Sequence, residues 1–385
     1  MVAHTLYSID SRVRQEAEAL VQSGFSVDVI CINEPGAARE EELNRVKIHR
    51  LPITKKRGGS LRYLYEWVML TIMAAWKLTT MHLRRRFHVI HAHNMPDFLL
   101  LTGLIPRLCG AKLILDVHDP TTELYKSMSR ISKNTLFFKT LKWQEKFCLN
   151  IAQKVISVNE TMRENIEKKR VPKNKICILH NFPDGSLFPV QEKIRIWPRN
   201  SDKIVLLYTG TVTNHYNLDI AVVAISLVAK VIPNIILRIV GPGNKVEEIM
   251  ALALDLGIRD KIKYTDWVPI EKVKNEMNNA DIGISCHKKG VFGDLYFSTK
   301  ILEFMTQGLP VISSRTYTIE KYIPEDAIFY FEPEQIEDLV KQIILMCNNP
   351  DLVSKKIMNS KKVLAKYSWQ EERKRLLSLY EELMD

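Results

Sequence analysis

No two of the six cysteines form a Cys-x-x-Cys pair: Cys31, Cys109, Cys148, Cys177, Cys286 and Cys347 are scattered. That excludes a zinc ribbon or a disulfide framework and suggests a reducing cytoplasm. No apolar run reaches about 18 residues, so no membrane-spanning helix is expected. A basic stretch followed by an apolar core and a small-residue cleavage site is also missing at the N-terminus, so secretion is not expected. The first strand starts abruptly at Met1, as if a few leading residues were missing. There is no short fixed repeat and no low-complexity segment. What is present is an ordinary soluble composition, 46% apolar and 26% charged over 385 residues. It excludes disorder and collagen, and the length suits two or three domains with their own cores.

The net charge of +11 is unevenly placed. Residues 1–190 hold 29 Lys and Arg against 18 Asp and Glu, and residues 191–385 hold 26 of each. Within the basic half, 51–87 carries Lys55, Lys56, Arg57, Arg62, Lys77, Arg84, Arg85 and Arg86 against the single acid Glu66. A basic half beside a neutral half suggests two domains with different partners. The basic partner is nucleic acid, an anionic membrane surface or a phosphorylated substrate. The basic residues are not interleaved with a nucleic-acid-reading motif, so no nucleic-acid partner is expected.

Short β-branched runs alternate with longer helical patterns. In the first half, strands are expected near 1–7, 25–32, 46–51, 88–92, 112–117, 154–158 and 175–179, and helices over 11–23, 61–83, 96–108, 136–153 and 160–169. Strands such as Leu113–Leu115 are continuously apolar, as in a parallel sheet covered on both faces. The stretch from Asn181 to Lys203, with Pro183, Pro189 and Pro198, reads as a linker. The alternation then restarts with strands at 203–209, 235–240, 262–265, 281–285, 310–314 and 328–331 and helices between them. The tail 351–385 is helical, with Trp369, Leu376, Leu377 and Tyr380 on one face. The fold class is α/β, two doubly wound domains, whose ligands bind outside the carboxyl ends of the strands, in a cleft if the domains face each other.

The segment 297–313, FSTKILEFMTQGLPVIS, is the most informative. Ser298 or Thr299 caps the following helix, whose exposed N–H groups and positive dipole end suit phosphate. Lys300 in the first turn opposes the helix dipole, which an anion nearby would explain. Glu303, about one turn from Thr299, could accept two hydroxyls of a ribose. An ordinary capped helix with solvated charges explains the same residues. In YTGTVTNHYN, 208–217, Gly210 closes a strand and lets a ligand approach the backbone. Gly241-Pro-Gly243 is a similar loop after the strand 235–240. In the first domain, His118 ends the strand Leu115-Asp-Val-His118, where a neutral imidazole could bond a sugar hydroxyl or a carbonyl. A structural histidine beside Asp119 fits equally well. His91-Ala-His93 has the same setting one strand away, and no third ligand stands at a spacing that suggests a metal. Asp10 or Ser11 is a good N-cap for the first helix, while Arg12 or Arg14 could hold an acidic acceptor. Residues 61–83, LRYLYEWVMLTIMAAWKLTTMHL, fit either a basic-flanked membrane-interface helix or a core helix.

Taken in order, these segments resemble the GT-B glycosyltransferases of family 4, which are retaining and use nucleotide sugars. The resemblance runs from HTLYSIDSRVRQEAEALVQSGFSVDVICI through FHVIHAHNMPDFLL, LILDVHD and KVISVNETMRENI to LLYTGTVTNHYNLDIAVVAI, LRIVGPG, IKYTDWVPIEKV, NADIGIS, STKILEFMTQGLPVISS and SWQEERKRLLSLYEELM. It implies two Rossmann-like domains facing a central cleft: an acceptor-binding domain over 1–185, a nucleotide-sugar-binding domain over 186–365, and a helix over 366–385 crossing back to the first domain. It also implies that Glu303 binds the ribose and that the Ser298, Thr299 and Lys300 backbone faces the diphosphate. Trp267 and Val268 would hold the base, Gly210, Thr211 and Gly243 the phosphate loops, and His118 the donor sugar. Asp10, Arg12 and His93 would be weaker acceptor contacts. Two positions depart from the family. The first Glu of its E-x7-E motif falls at Leu295, with Asp294 adjacent as a possible catalytic substitute, and the usual Arg after the glycine is Thr211. In the family that Arg and a following Lys neutralise the leaving diphosphate; here Lys300 is the candidate.

The expected activity is a metal-independent, cofactor-free, retaining hexosyl transfer from a nucleotide diphosphate-sugar, UDP-sugar favoured. The expected acceptor is a lipid-linked or cell-surface glycan in polysaccharide biosynthesis. The setting would be cytoplasmic, at the inner face of the plasma membrane, with peripheral contact through 55–87. A degenerate nucleotide-sugar-binding scaffold and an epimerase or hydrolase of the same architecture are the alternatives. The epimerase or hydrolase lacks an identifiable set of cleft carboxylates.

Overall fold

The structure is a computed structural model that describes all residues except 55–59, 129–134, 184, 186, 192–194, 196, 198, 200–201, 368 and 385, and the side chains of 60, 61, 63 and 128. Lys55, Lys56, Arg57 and Pro198 of the basic stretch and the linker therefore lie outside the described residues. The chain divides into two compact units, one formed by Met1–Asn181 with Gln370–Asp385 and the other by Phe182–Trp369.

The first unit enters its sheet through Val2, which bridges both Ile30 and Ala92. The strand expected near 1–7 is reduced to this short pairing, because the backbone turns through Leu6 to Asp10 to start α1 (Ser11–Gln22). β1 (Asp28–Ile32) pairs in parallel with β3 (Val46–Leu51), and β2 (Glu40–Leu43) adds an antiparallel edge. β2 was not expected from sequence. It is a run of three glutamates joined to β3 through Asn44 and Arg45, both at positive φ, a two-residue hairpin with a charged, exposed edge. After α2 (Ser60–Arg84), four parallel strands follow in order: β4 (Val89–His93), β5 (Lys112–Val117), β6 (Lys154–Ser157) and β7 (Ile176–Ile178).

Between β4 and β5 the expected helix over 96–108 is instead a 3-10 helix over Asp97–Gly103 followed by α3 (Leu104–Leu108). Pro106 has no N–H to return to Thr102, which interrupts an α-helical ladder. Gly103 lets the tighter turn press on the sheet, where a Cβ would stand 2.6 Å from Leu113 Cδ2. α4 (Thr121–Met128), α5 (Leu136–Ile151) and α6 (Glu160–Lys168) complete this part.

In the second unit the strands are β8 (Ile204–Thr209), β9 (Ile235–Val240), β10 (Ile262–Thr265), β11 (Ile282–Ser285), β12 (Val311–Ser314) and β13 (Phe329–Phe331). All pair in parallel, in the order β10-β9-β8-β11-β12-β13. Helices α7 (Leu218–Val228), α8 (Val246–Asp255), α9 (Ile270–Asn278), α10 (Thr299–Thr306), α11 (Tyr317–Tyr322), α12 (Ile336–Asn348) and α13 (Pro350–Lys366) cover it. One core cluster joins Ile220, Ile225, Leu206 and Ile284; another joins Ile301, Phe304, Leu207 and Val311, so alternate residues of the same strands fill the two faces. α14 (Trp369–Met384) closes the chain and belongs, from Gln370 on, to the first unit.

Candidate functional site

The strand order of the second unit reverses between β8 and β11, the point outside which ligands of open α/β sheets bind. Gly210 leaves β8 at φ 113, donating its N–H to Val240 O at 2.8 Å. A Cβ on Gly210 would collide with Lys300 Cε, one on Gly241 with Gly210 O, and one on Gly243 with Val212 O. The absent side chains let two loops and one lysine meet at a single sheet edge.

Lys300 stands in the first turn of α10 and makes no ion pair among the described residues. Its Nζ lies 3.9 Å from the centroid of the Tyr216 ring and 5.2 Å from that of Tyr208. Ser298 occupies the N-cap position of α10, but its hydroxyl makes no cap bond. Ile301 N, which it could have received, already donates to Ser298 O at 3.2 Å. The Ser298 Oγ is fully buried without a hydrogen-bond partner, an orphaned polar atom at a helix N-terminus. Burial pushes the Glu303 carboxyl up to about 7, with Lys300 pulling the other way.

Around these groups, Thr211 is exposed, and its carbonyl accepts the Tyr208 hydroxyl at 2.7 Å. Trp267 is exposed just beyond β10, and Val268 packs partly into the core. Asp294 accepts from Gly290 N on Oδ2 and from Tyr317 N, at the start of α11, on Oδ1, both at 3.2 Å. The two bonds tie the loop before α10 to α11 and leave each carboxylate oxygen with further acceptor capacity.

In the first unit, β4 and β5 place His93 opposite Asp116. The Arg12 guanidinium donates to both oxygens of Asp116, Nε to Oδ2 at 2.9 Å and Nη2 to Oδ1 at 3.0 Å, and reaches Leu179 O at 3.1 Å. Arg12 Nε also lies 3.1 Å from Glu16 Oε1. Burial raises Asp116, but Arg12 and His118 outweigh it and hold the carboxyl well below its usual range. His118 Nε2 is 2.9 Å from Asp116 Oδ2 and 3.2 Å from His93 Nδ1. His118 Nε2 faces the ionised Asp116, and Nδ1 is the ring nitrogen left outside that contact. Asn94 Oδ1 accepts the His118 N–H at 2.7 Å and fixes the backbone.

Of the expected acceptor contacts, Arg12 and His93 are 6% and 2% exposed. The Arg12 guanidinium is spent on Asp116, Glu16 and Leu179 O, whereas His93 turns Nδ1 toward His118 and keeps a buried Nε2 without a hydrogen-bond partner among the described residues. Asp10 caps α1, its Oδ1 accepting from Val13 N at 3.1 Å. The spacing argument against a metal at His91 and His93 also fails in space. Glu16 and Asp116 supply further donors, and the four groups offer atoms all within 4.8 Å of one another. Arg12 already brings a positive charge to both carboxylates. The one signal available in sequence was the period of two: Asp116 and His118, like His91 and His93, must share a strand face. Arg12 and Glu16 come from α1, and no spacing connects them to β5. Tyr380 of α14 bonds His91 Nδ1 at 2.9 Å and Glu372 bonds His180, which explains why the tail docks here.

Comparison with known proteins agrees with these two units. The family profile "Glycosyl transferase 4-like domain" matches residues 9–181, and "Glycosyl transferases group 1" matches residues 189–363. An uncharacterized glycosyltransferase of Methanocaldococcus jannaschii is 22% identical over 96% of this chain and 93% of that protein. A phosphatidylinositol N-acetylglucosaminyltransferase subunit from Arabidopsis thaliana is 23% identical over 77% of this chain, which spans 62% of that relative. Among solved structures, Anabaena HepE in complex with UDP and glucose superposes with a TM-score of 0.75 at 13% identity, covering 99% of this chain and 98% of that one. The chain has the GT-B fold and belongs to the group 1 glycosyltransferases.

Proposed function

We propose that this protein is a retaining, family 4 hexosyltransferase that moves a sugar from a nucleotide diphosphate-sugar, UDP-sugar favoured, to a hydroxyl of a lipid-linked or cell-surface glycan. The observation that carries the reading is Lys300, an ammonium with no ion pair among the described residues, on the same helix N-terminus as the orphaned Ser298 hydroxyl, at the strand-order reversal. The N-acetylglucosaminyltransferase relative from Arabidopsis supports sugar transfer, and HepE in complex with UDP and glucose supports a nucleotide-sugar donor. Glu303 takes the ribose hydroxyls, the backbone of Ser298, Thr299 and Lys300 faces the diphosphate, and Trp267 and Val268 meet the base. Gly210, Thr211 and Gly243 line the phosphate loops. His118 offers Nδ1 to a sugar hydroxyl, and Asp10 lies at the acceptor side. The Lys300 ammonium and the α10 dipole neutralise the leaving diphosphate, so the transfer is proposed to need no metal or cofactor.

The test is nucleotide release from UDP-, GDP- and ADP-sugars with a membrane lipid extract as acceptor, comparing the native chain with Glu303→Ala. Acceptor-dependent release from one donor, lost in the variant, is expected. Nucleotide binding without release from any donor would instead favour the degenerate scaffold, the reading that Thr211 supports. An ionised Glu303 accepts from two ribose hydroxyls more strongly than the neutral acid, one of whose oxygens becomes a donor. Nucleotide affinity is therefore expected to rise with pH through about 7 as the carboxyl ionises, and Glu303→Gln should flatten the profile. An affinity independent of pH between 6 and 8 in the native chain would remove Glu303 from the ribose site.

No helix among the described residues is long and apolar enough to cross a membrane. Yet α2 is apolar on two sides. Leu70, Ala74 and Leu78 are buried in the core, while Tyr65, Val68, Ile72, Trp76 and Leu83 face outward. Arg62 precedes them, Arg84–Arg86 follow, and the exposed Leu104 and Leu108 lie on the neighbouring α3. The core reading of this helix fits its buried face, and the outer face is the one the membrane-interface reading would use. We assign the outer face to an anionic membrane surface on the cytoplasmic side. Trp76→Ser/Leu83→Ser/Leu108→Ser is expected to weaken binding to phosphatidylserine vesicles at least about tenfold, given about 1.5–3 kcal/mol per buried large side chain. Equal flotation of variant and native chain would reject this surface.

A further inference from the structure

An ammonium that must meet a diphosphate has to be held in place without being neutralised. A carboxylate partner would hold Lys300 but cancel its charge before the phosphates arrive. No such partner exists among the described residues, and Glu303 is a poor counter-ion with its carboxyl pushed up to about 7. The amine lies instead on aromatic faces, 3.9 Å from the Tyr216 centroid and 5.2 Å from that of Tyr208. The missing Cβ of Gly210 leaves room for its stem.

The cage is itself braced. Tyr216 meets His287 edge-on at 5.3 Å and 76°, Tyr296 at 6.4 Å and Tyr208 at 6.3 Å. The Tyr208 hydroxyl is tied to Thr211 O. Burial and Lys300 push His287 down to about 3, so it stays neutral and adds no competing cation. Tyr216 follows directly from the loop bearing Thr211, where the resemblance expects an arginine.

We infer that Tyr216 is a positioning residue: with Tyr208 it cages the Lys300 ammonium and aims it at the leaving diphosphate, doing with one caged lysine what the family does with an Arg and a Lys on the glycine loop. A ring face attracts the cation through its quadrupole and leaves the full charge available to the phosphates. This rests on the transferase reading of the same site, so the experiment separates the two.

The cage is read first in the unliganded native chain. Lysines are reductively methylated with a ¹³C label, which keeps their charge, and the resonance absent from Lys300→Arg is assigned to Lys300. A strong upfield ring-current shift is expected, lost in Tyr216→Leu and kept in Tyr216→Phe. UDP affinity is then measured by calorimetry. Tyr216→Phe should stay within about twofold of the native chain and Tyr216→Leu should lose about 10- to 30-fold, the range of a desolvated cation–π contact. In a Lys300→Met background, Tyr216→Leu should cost nothing more. An unshifted Lys300 resonance in the native chain overturns the cage, and so does an equal loss in Phe and Leu or an additive loss in the Lys300→Met background. Absence of UDP binding by the native chain, with the ring-current shift present, counts against the transferase reading and leaves the cage standing.

Discussion

Arg12→Met is expected to destabilise the first unit by about 3–5 kcal/mol, the range for removing one partner of a buried ion pair. Arg12 holds both oxygens of Asp116, touches Glu16 and bonds Leu179 O. Its loss strands a fully buried carboxylate with no guanidinium, beside a Glu16 that burial already raises well above its usual range. For a unit of this size the thermal midpoint should fall by roughly 2–4 °C per kcal/mol. The pH dependence carries a sign. Asp116 is depressed in the fold, so the stability from its ionised form is present above the unfolded carboxylate pKa and is lost as pH falls through the depressed one. In the variant a neutral Asp116 is the cheaper species, so the gap between native chain and variant should be widest near neutrality and shrink below about pH 4. Arg12→Met/Asp116→Leu should recover much of the loss, since an apolar replacement leaves no stranded charge. A midpoint within about 2 °C of the native chain for Arg12→Met alone would show that this network contributes little.

The second sheet was legible because its strands are continuous apolar runs, and the parallel alternation of strand and helix leaves few topologies. Gly210 and Gly243 could be placed in loops after strands, and Lys300 and Glu303 on the first turns of a helix, from the sequence. What the Lys300 ammonium leans on could not, because Tyr216 and Tyr208 reach it only after β8 and α10 are brought together. The buried cluster of the first unit was hidden for the same reason: Arg12 and Asp116 are 104 positions apart. The bonds that Asp294 accepts from Gly290 N and Tyr317 N were not legible either, because hydrogen bonds that brace a loop leave no trace in composition. In α2 the sequence shows apolar residues around most of the helix, and only packing tells the inward Leu70 from the outward Trp76.

Lys300→Ala is expected to lower kcat by about 10²–10³-fold, the effect of removing one preorganised group from a developing negative charge. The charge on the diphosphate grows as the bond to the sugar breaks, so the loss should fall mainly on kcat, with a smaller rise in the donor KM. Lys300→Arg should recover part of the rate, because the charge returns but the ring contacts of an ammonium do not carry over unchanged. Gly210→Ala tests the same amine without touching its charge. The added Cβ would occupy the place of the Lys300 stem at a φ of 113 that alanine resists, so the lysine must leave its ring faces. Gly210→Ala should therefore lose turnover while still binding the free nucleoside, whose proposed ribose contact is Glu303, one helix turn away from the diphosphate. If Lys300→Ala loses less than about tenfold, the leaving group is neutralised elsewhere, and the clamp that Thr211 replaces has a successor other than Lys300.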